Sequence, residues 1–533
     1  MGKSEVTLEG CVKSHQPQVR ASEQLVKVVL EKITPEVVAE VQSLRKEVHS
    51  LREERKYEIQ KLSKLLADAW TKPSSARVCK LFFDDPVWGH TVVDQELAVL
   101  FGHPLLQRLN YIRQLSFAYL TFPSATHSRM SHSLGVCKLA ESALTTIFRN
   151  NVIYTENGLE KIDLSPEQRG ELILKAKTAA LVHDLGHAPF GHALDRFVGF
   201  FDPCKDPMPY PDKYYTGVYL TKYLGDMIPA KLNLQNLKAI LAHDIKSLSG
   251  WDSLISDLID SSLDVDRMDF LARDAHMSGL FMGFNCAEAL IERICPYRID
   301  DQIYLTFHVS CLPYVGDLLF ARERMYLNCY EHPKKLAAER IFTRLVQNLM
   351  DSNQLSVDEV ILLTDEQILA LLGIAAIGSP ENSGLLEALL QNIDYDLIYE
   401  IGLDRGENTA VGQWNRARDR AGMGRHVYVE LPSQWEKEIA LVAKLSQGES
   451  WRVLVLVPDH KTGSPPGLPT RVVERTEEGY AARPILKVSQ NLLNQLKYAG
   501  EPRRRIRVFA DSRLSRDQVA SVKKAAESIL GEG

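Results

Sequence analysis

The stretch ALVHDLGHAPFGHALDR, residues 180–196, brings His183, Asp184, His187 and His192 together among apolar residues and turn formers. Each buried imidazole needs a partner, so a core rarely holds so many. Imidazoles and carboxylates together are, however, a donor set for a divalent cation. His183 and Asp184 close an apolar helical run, and His187 falls on the same side if the turn continues. Gly186, Pro189 and Gly191 interrupt the helix, which would place these side chains around a concave wall. Further donors stand elsewhere: His132 in HSRMSHSLGV, and Asp264, Asp266, Asp269 and Asp274 in SSLDVDRMDFLARD. His132, His183, Asp184 and Asp266 would make four protein ligands converging from several helices, with positions left for water and a phosphate oxygen. His243-Asp244 repeats the HD dipeptide, but no glycine or second histidine follows, and it is read as structural. In SATHSRMSH, His127 is equally compatible with a solvated loop and with a site, whereas Arg129 is read in favour of a site.

The elements that must hold these residues read as helices. From about residue 76 to 430, apolar positions recur at helical spacing in PLLQRLNYIRQLSFAYL, HSLGVCKLAESALTTIF, ELILKAKTAALVHDL and AAERIFTRLVQNLM. DQIYLTFHV, residues 301–309, alternates and is expected to form a short strand, and the proline-rich segment 202–213 a loop. After residue 430, WRVLVLVPD, RVVERT and RRRIRVFAD read as strands and SRDQVASVKKAAESIL as a helix, with a Gly/Pro/Ser linker at 460–470. Before residue 76, Thr34-Pro35 starts a charged helix. Its seam, Val37, Val41, Leu44, Val48 and Leu51, slips register before Ile59, Leu62 and Leu66 and suits a packing partner. The expected fold is therefore mainly α, with an N-terminal helical segment (1–75), a helical body (76–430) and a C-terminal α+β lobe (431–533).

The chain has 533 residues, a formal net charge of −6 and 25% charged residues, so composition asks for neither nucleic acid nor membrane. No apolar run is long enough to span a bilayer and the N-terminus lacks a signal-peptide core, so a cytoplasmic address is expected, or a nuclear one in a eukaryote. The eight cysteines include no CxxC pair and read as reduced, mostly buried thiols. Arg503, Arg504, Arg505 and Arg507 are read as a solvated strand edge in preference to a nucleotide or subunit contact.

The order His132, His183-Asp184, Asp266, with LVHDLGHAPFGHALDR, DVDRMDFLARDAHMSG and RERMYLNCYEHPKKLAAERIF, resembles the HD phosphohydrolase superfamily. Within it, the chain is similar to the deoxynucleoside triphosphate triphosphohydrolases, from about residue 80 to 430 and more weakly beyond. Residues 1–75 do not resemble the SAM domain that vertebrate members carry. The resemblance implies hydrolysis of dNTPs to deoxynucleoside and inorganic triphosphate, by attack of water on the α-phosphorus with a divalent metal, Mn, Mg, Fe or Zn. Its metal ligands would be His132, His183, Asp184 and Asp266, and its catalytic neighbours His187, His192 and Asp195. Arg129, Arg267 and Arg322 would neutralise the triphosphate. Gln114, Leu115 and Asp274 would read the 3′-hydroxyl and crowd the 2′ position, with Tyr330 against the sugar. A homo-oligomer (dimer, tetramer or hexamer), a nucleotide activator and a role in antiviral or antiphage dNTP depletion are further implications.

Three departures stand beside it. No His-Glu pair follows the HD stretch, leaving Tyr214 or Tyr215 as its substitute; Phe270 replaces a tyrosine; and Gly102 and Asn110 replace the charged pair that reads a guanine activator. The alternatives are an HD-type phosphohydrolase or nuclease acting on another phosphate ester, and a nucleotide-sensing partner protein without turnover. Intact donors at all four ligand positions weigh against the latter.

Overall fold

The computed structural model describes residues 35–72, 79–194, 211–280, 286–377, 379–402, 430–446, 449–457, 470–477, 479–489 and 505–531. The fold is mainly helical, with short sheets of two to four strands and an α+β arrangement toward the C-terminus. It divides into two units, residues 1–61 and 62–533. The described part of the first is a single helix, α1 (Pro35–Thr71), whose last turns belong to the second unit. The slip in its apolar seam does not break it, and Val48 and Leu51 are exposed.

In the second unit, a hairpin of β1 (Leu81–Asp85) and β2 (Gly89–Val93) comes first. Its turn is closed by Asp85, whose Oδ1 accepts from the backbone of Val87 and Trp88 at 2.8 and 2.9 Å. Three helices then build the wall on which the chemistry sits. The first, α2 (Arg129–Asn150), starts on the Ser128 cap and stops at Asn151, which adopts φ 59°. The second, α3 (Pro166–Val182), starts on a Ser165–Gln168 capping box with proline in its first turn and ends with His183 as its C-cap. The third, α4 (Val265–Ser278), is capped by Asp264 and stopped by Gly279 at φ 70°. α2 packs against both α3 and α4. Lys177 of α3, almost wholly buried, donates to Asp94 and to Glu141 of α2, so its charge is neutralised between two carboxylates.

DQIYLTFHV divides into two strands, β3 (Gln302–Tyr304) and β4 (Thr306–His308), in different sheets. A further strand, β5 (Tyr395–Gly402), lies in the stretch read as helical. It is the edge of a three-stranded antiparallel sheet with β6 (Val453–Leu456) on the far side and β7 (Arg505–Asp511) in the middle. This sheet buries Val453, Val455, Ile506 and Val508 against Trp435, Ile439, Val522 and Leu530 of neighbouring helices. Glu436, fully buried, ties that layer to the helical body by accepting from Arg340 and from the Val455 backbone. Arg505 and Arg507 pair with Glu400 and Glu331, but on the central strand of this sheet and not on the edge strand expected, because β5 and β6 flank β7 on both sides; Arg503 and Arg504, the 460–469 linker and most of the 202–213 loop lie outside the described residues.

Candidate metal centre and adjoining pocket

The HD stretch is a chain of tight turns leaving α3. Backbone bonds run from Leu185 to Val182, from His187 to Asp184 and from Gly191 to Ala188. Such turns leave carbonyls unpaired, and buried side chains satisfy them. Arg108, wholly buried, donates to the carbonyls of Leu185 and His187 at 3.2 and 2.7 Å and to that of Leu363 at 2.9 Å. Thr216 Oγ1 accepts from Gly186 N at 2.9 Å, and Asp365 Oδ1 accepts from Phe190 N at 2.6 Å. Gly186 has no room for a Cβ, which would meet the Asp212 carbonyl at 2.0 Å. Gly191, at φ 50°, lies against the Arg129 guanidinium.

This scaffold groups His132, His183 and Asp266, with one ligand atom from each lying within 4.8 Å of the others. His132 Nε2 is 2.9 Å from Asp266 Oδ1, and His183 Nε2 is 3.7 Å from the same oxygen. His183 Nδ1 donates to the Ala180 carbonyl at 2.7 Å, which leaves the lone pair on Nε2; that buried atom has no hydrogen-bond partner. Asp184 lies against the same group, Oδ1 being 3.2 Å from His183 Nε2 and 3.1 Å from His187 Nε2. Its Oδ2 accepts from Arg129 Nη1 at 2.7 Å and is 3.7 Å from His132 Nε2. The Nε2 atoms of two imidazoles facing two carboxylates fit a divalent cation of borderline softness.

The electrostatics agree with mutual dependence. Burial alone would raise the Asp184 carboxyl, but His183, His187 and Arg129 hold it well below the usual range. Burial would lower His132, yet hydrogen bonds to Asp266 and Asp269 push it up to about 10. Asp264 goes the other way: burial raises it to about 7 while it caps α4 through Arg267 N.

Beside the cluster, two turns along α4 from Asp266, Asp274 is buried and accepts from His127 Nε2 at 2.8 Å and from the Tyr330 hydroxyl at 2.6 Å. Gln114 N donates to the His127 carbonyl at 3.0 Å, which sets Gln114 and the buried Leu115 alongside. His127 Nδ1, Gln114 Oε1 and Arg129 Nε and Nη2 are buried polar atoms without partners. Phe270 stands between the two halves, its ring centroid 6.5 Å from those of His132 and Tyr330.

The remaining predicted residues are more scattered. His192 is exposed, its ring 5.0 Å from that of His187, and Asp195 lies outside the described residues. Arg267 Nη1 donates to the Ser262 carbonyl, and Arg322 stacks over Tyr326, which in turn packs on Tyr330. Tyr214 is exposed and Tyr215 buried. His243 sits in a turn at φ 53°, with Ser256 and Asp257 as neighbours, in keeping with its structural reading.

No protein-family model matches the chain. Over 268 residues it is 31% identical to the uncharacterized protein YwfO of Bacillus subtilis (strain 168), covering 50% of this chain and 54% of the relative. Over 280 residues it is 26% identical to the deoxynucleoside triphosphate triphosphohydrolase SAMHD1 of Homo sapiens, covering 47% and 41%. At 26–27% identity the chain is also similar to SAMHD1 of Mus musculus and Bos taurus, and to a putative HD domain-containing protein of Acanthamoeba polyphaga mimivirus. It spans about half the length of these curated relatives. A crystal structure of a phosphohydrolase from Bacteroides thetaiotaomicron VPI-5482 shares the fold at 18% identity, with a TM-score of 0.59 over 81% of this chain and 100% of that one.

Several residues that build the centre carry no motif of their own. Arg108, Asp365 and Thr216 act through the backbone of the HD turns, so their role depends on packing. Asp269 and Arg273 had a local signal, an acid four residues before a base on one helix face.

Proposed function

We propose that the chain is a metal-dependent phosphohydrolase that converts dNTPs to deoxynucleoside and inorganic triphosphate. The observation that carries the proposal is the pairing of one cation cradle, His132, His183 and Asp266 with Asp184 alongside, with an adjoining polar pocket around Asp274. The cation, when bound, supplies Lewis-acid polarisation of a phosphoryl oxygen. The chain's own residues do the rest. Arg129, with Nε and Nη2 unspent, takes a phosphate oxygen through its forked donors, and Arg267 and Arg322 add positive charge along the triphosphate. His187 holds a proton at Nε2, oriented by Asp184, for the leaving oxygen. His192 and Asp195 are the next groups in that role.

Asp274 accepts the 3′-hydroxyl, while Leu115 and Gln114 close the 2′ side. An extra hydroxyl there would be buried without a partner. Tyr330 packs against the sugar. Homo-oligomerisation, a nucleotide activator and dNTP depletion as the cellular role belong to the same proposal, as does a cytoplasmic address; no helix among the described residues is long and apolar enough to cross a membrane.

The test is incubation of purified protein with Mn²⁺ or Mg²⁺ and each dNTP, singly and in mixtures, with Asp184→Ala alongside and products resolved by ion-pair chromatography. Deoxynucleoside plus triphosphate, absent in the variant, is the expected result. Monophosphate plus pyrophosphate, or cleavage of oligonucleotides alone, would replace the reading by hydrolysis of another phosphate ester. That second reading is favoured by Phe270, which sets an apolar ring between the cradle and the pocket.

A further inference from the structure

His132 is the one cradle residue whose second ring nitrogen is held by a carboxylate. Its Nδ1 donates to Asp269 Oδ2 at 2.7 Å, which orients the ring and points Nε2 at the cradle. Asp269 is fully buried and its other contacts are all donors. Arg273 Nε meets Oδ2 at 2.9 Å and Arg273 Nη2 meets Oδ1 at 2.8 Å, while Trp88 Nε1 donates to Oδ1. Arg273 Nη1 in turn donates to Asp85 Oδ2 at 2.8 Å, and Asp85 closes the turn that carries Trp88. The turn of the β1–β2 hairpin is thus one hydrogen bond from the carboxylate that holds His132.

Packing shows that this approach is built into the fold. Gly135 lies one helical turn beyond His132 on α2, and a Cβ there would fall 1.8 Å from Asp269 Oδ1. Only a residue without a Cβ lets the carboxylate reach the histidine from α4. A network serving only to pin the hairpin would be complete with Arg273 between Asp85 and Asp269; it would have no use for an imidazole whose other nitrogen faces the cradle.

We propose that Asp269 is a positioning residue that aims His132 at the cation, and that Trp88, in the hairpin turn, holds Asp269 in that geometry. This rests on the metal reading given above. A carboxylate behind a ligating histidine sets both its direction and its basicity, and its loss typically weakens metal binding by about 10- to 100-fold.

The experiment is calorimetric titration of the purified full chain with Mn²⁺, for wild type, Asp269→Asn, Trp88→Phe and, as a site control, His183→Ala. The Co²⁺ ligand-field bands and the thermal midpoint are recorded for each. Asp269→Asn is expected to raise the Mn²⁺ dissociation constant about 10- to 100-fold. Trp88→Phe, which removes one donor and no charge, is expected to raise it about two- to tenfold and to shift the Co²⁺ bands, which a purely structural role would leave in place.

A folded Asp269→Asn that binds Mn²⁺ within about twofold of wild type overturns the proposal. If that variant fails to fold, Trp88→Phe decides: wild-type affinity together with unmoved Co²⁺ bands overturns it. Uptake by wild type that His183→Ala abolishes establishes the cradle independently of either variant. No uptake by wild type would overturn the metal reading itself, and this proposal with it.

Discussion

Arg108 donates from Nη2 to the carbonyl oxygen of His187 at 2.7 Å, although 79 residues separate them in the chain. The same guanidinium reaches the Leu185 and Leu363 carbonyls, so one buried fork satisfies three backbone acceptors around the HD turns. Lysine presents a point charge and cannot span all three. Arg108→Lys is expected to lose about 2–5 kcal/mol, the cost of stranding one or two buried carbonyls, and to weaken Mn²⁺ binding by disordering His187 and Asp184. Denaturant unfolding and Mn²⁺ titration check this; a wild-type unfolding midpoint would refute it.

Two glycines on adjoining helices should respond oppositely to alanine. Gly135 of α2 has Asp269 and Arg273 where its Cβ would go, whereas Gly170 of α3 has nothing within 4 Å. Gly135→Ala is expected to cost about 3 kcal/mol, the upper range for overpacking, and to lower Mn²⁺ affinity. Gly170→Ala is expected to add about 0.5–1 kcal/mol through helix propensity alone. Equal effects in a melting comparison would contradict the described packing.

Asp257 supplies a pH signature remote from the cradle. Burial pushes its carboxyl up to about 6 from an ordinary 3.8, offset in part by the Leu305 backbone donor and His243. The folded state therefore binds this proton more tightly than the unfolded state, and the stability it contributes at low pH is lost as pH rises from about 4 to about 6. Asparagine keeps an acceptor for Leu305 N and does not titrate. The stability of Asp257→Asn relative to wild type is expected to grow across that window, by up to about 3 kcal/mol. Unfolding at about pH 4 and about pH 7.5 measures it; a difference that does not change with pH would dispose of the explanation.

The Asp274 pocket makes a kinetic prediction that rests on the proposed activity. Tyr330→Phe removes the 2.6 Å hydrogen bond to Asp274 Oδ2 and leaves the cradle untouched. KM for dNTPs is expected to rise about three- to tenfold with kcat within about twofold. Steady-state rates decide, and a fall in kcat at constant KM would place Tyr330 elsewhere in the mechanism.

Much of the architecture was readable before folding. Helical periodicity marked the stretches that carry His132 and His183, because a helix is a local structure whose apolar face is written in consecutive positions. Strand β5 was missed because its partner β7 lies about a hundred residues away, and a strand's stability resides in that pairing.

The four aspartates of SSLDVDRMDFLARD draw the dividing line. Residue types and order sufficed to nominate His183, Asp184 and Asp266, since donor chemistry belongs to the side chain itself. Which carboxylate does what was decided by tertiary packing alone. Asp264 turns back to cap its own helix, Asp266 faces His132 and His183, Asp269 reaches behind His132 through the space left by Gly135, and Asp274 joins His127 and Tyr330. A carboxylate's role is set by the donors it meets. Those donors come from α2, from the β1–β2 turn and from the segment after α4, which only the fold brings within hydrogen-bond reach.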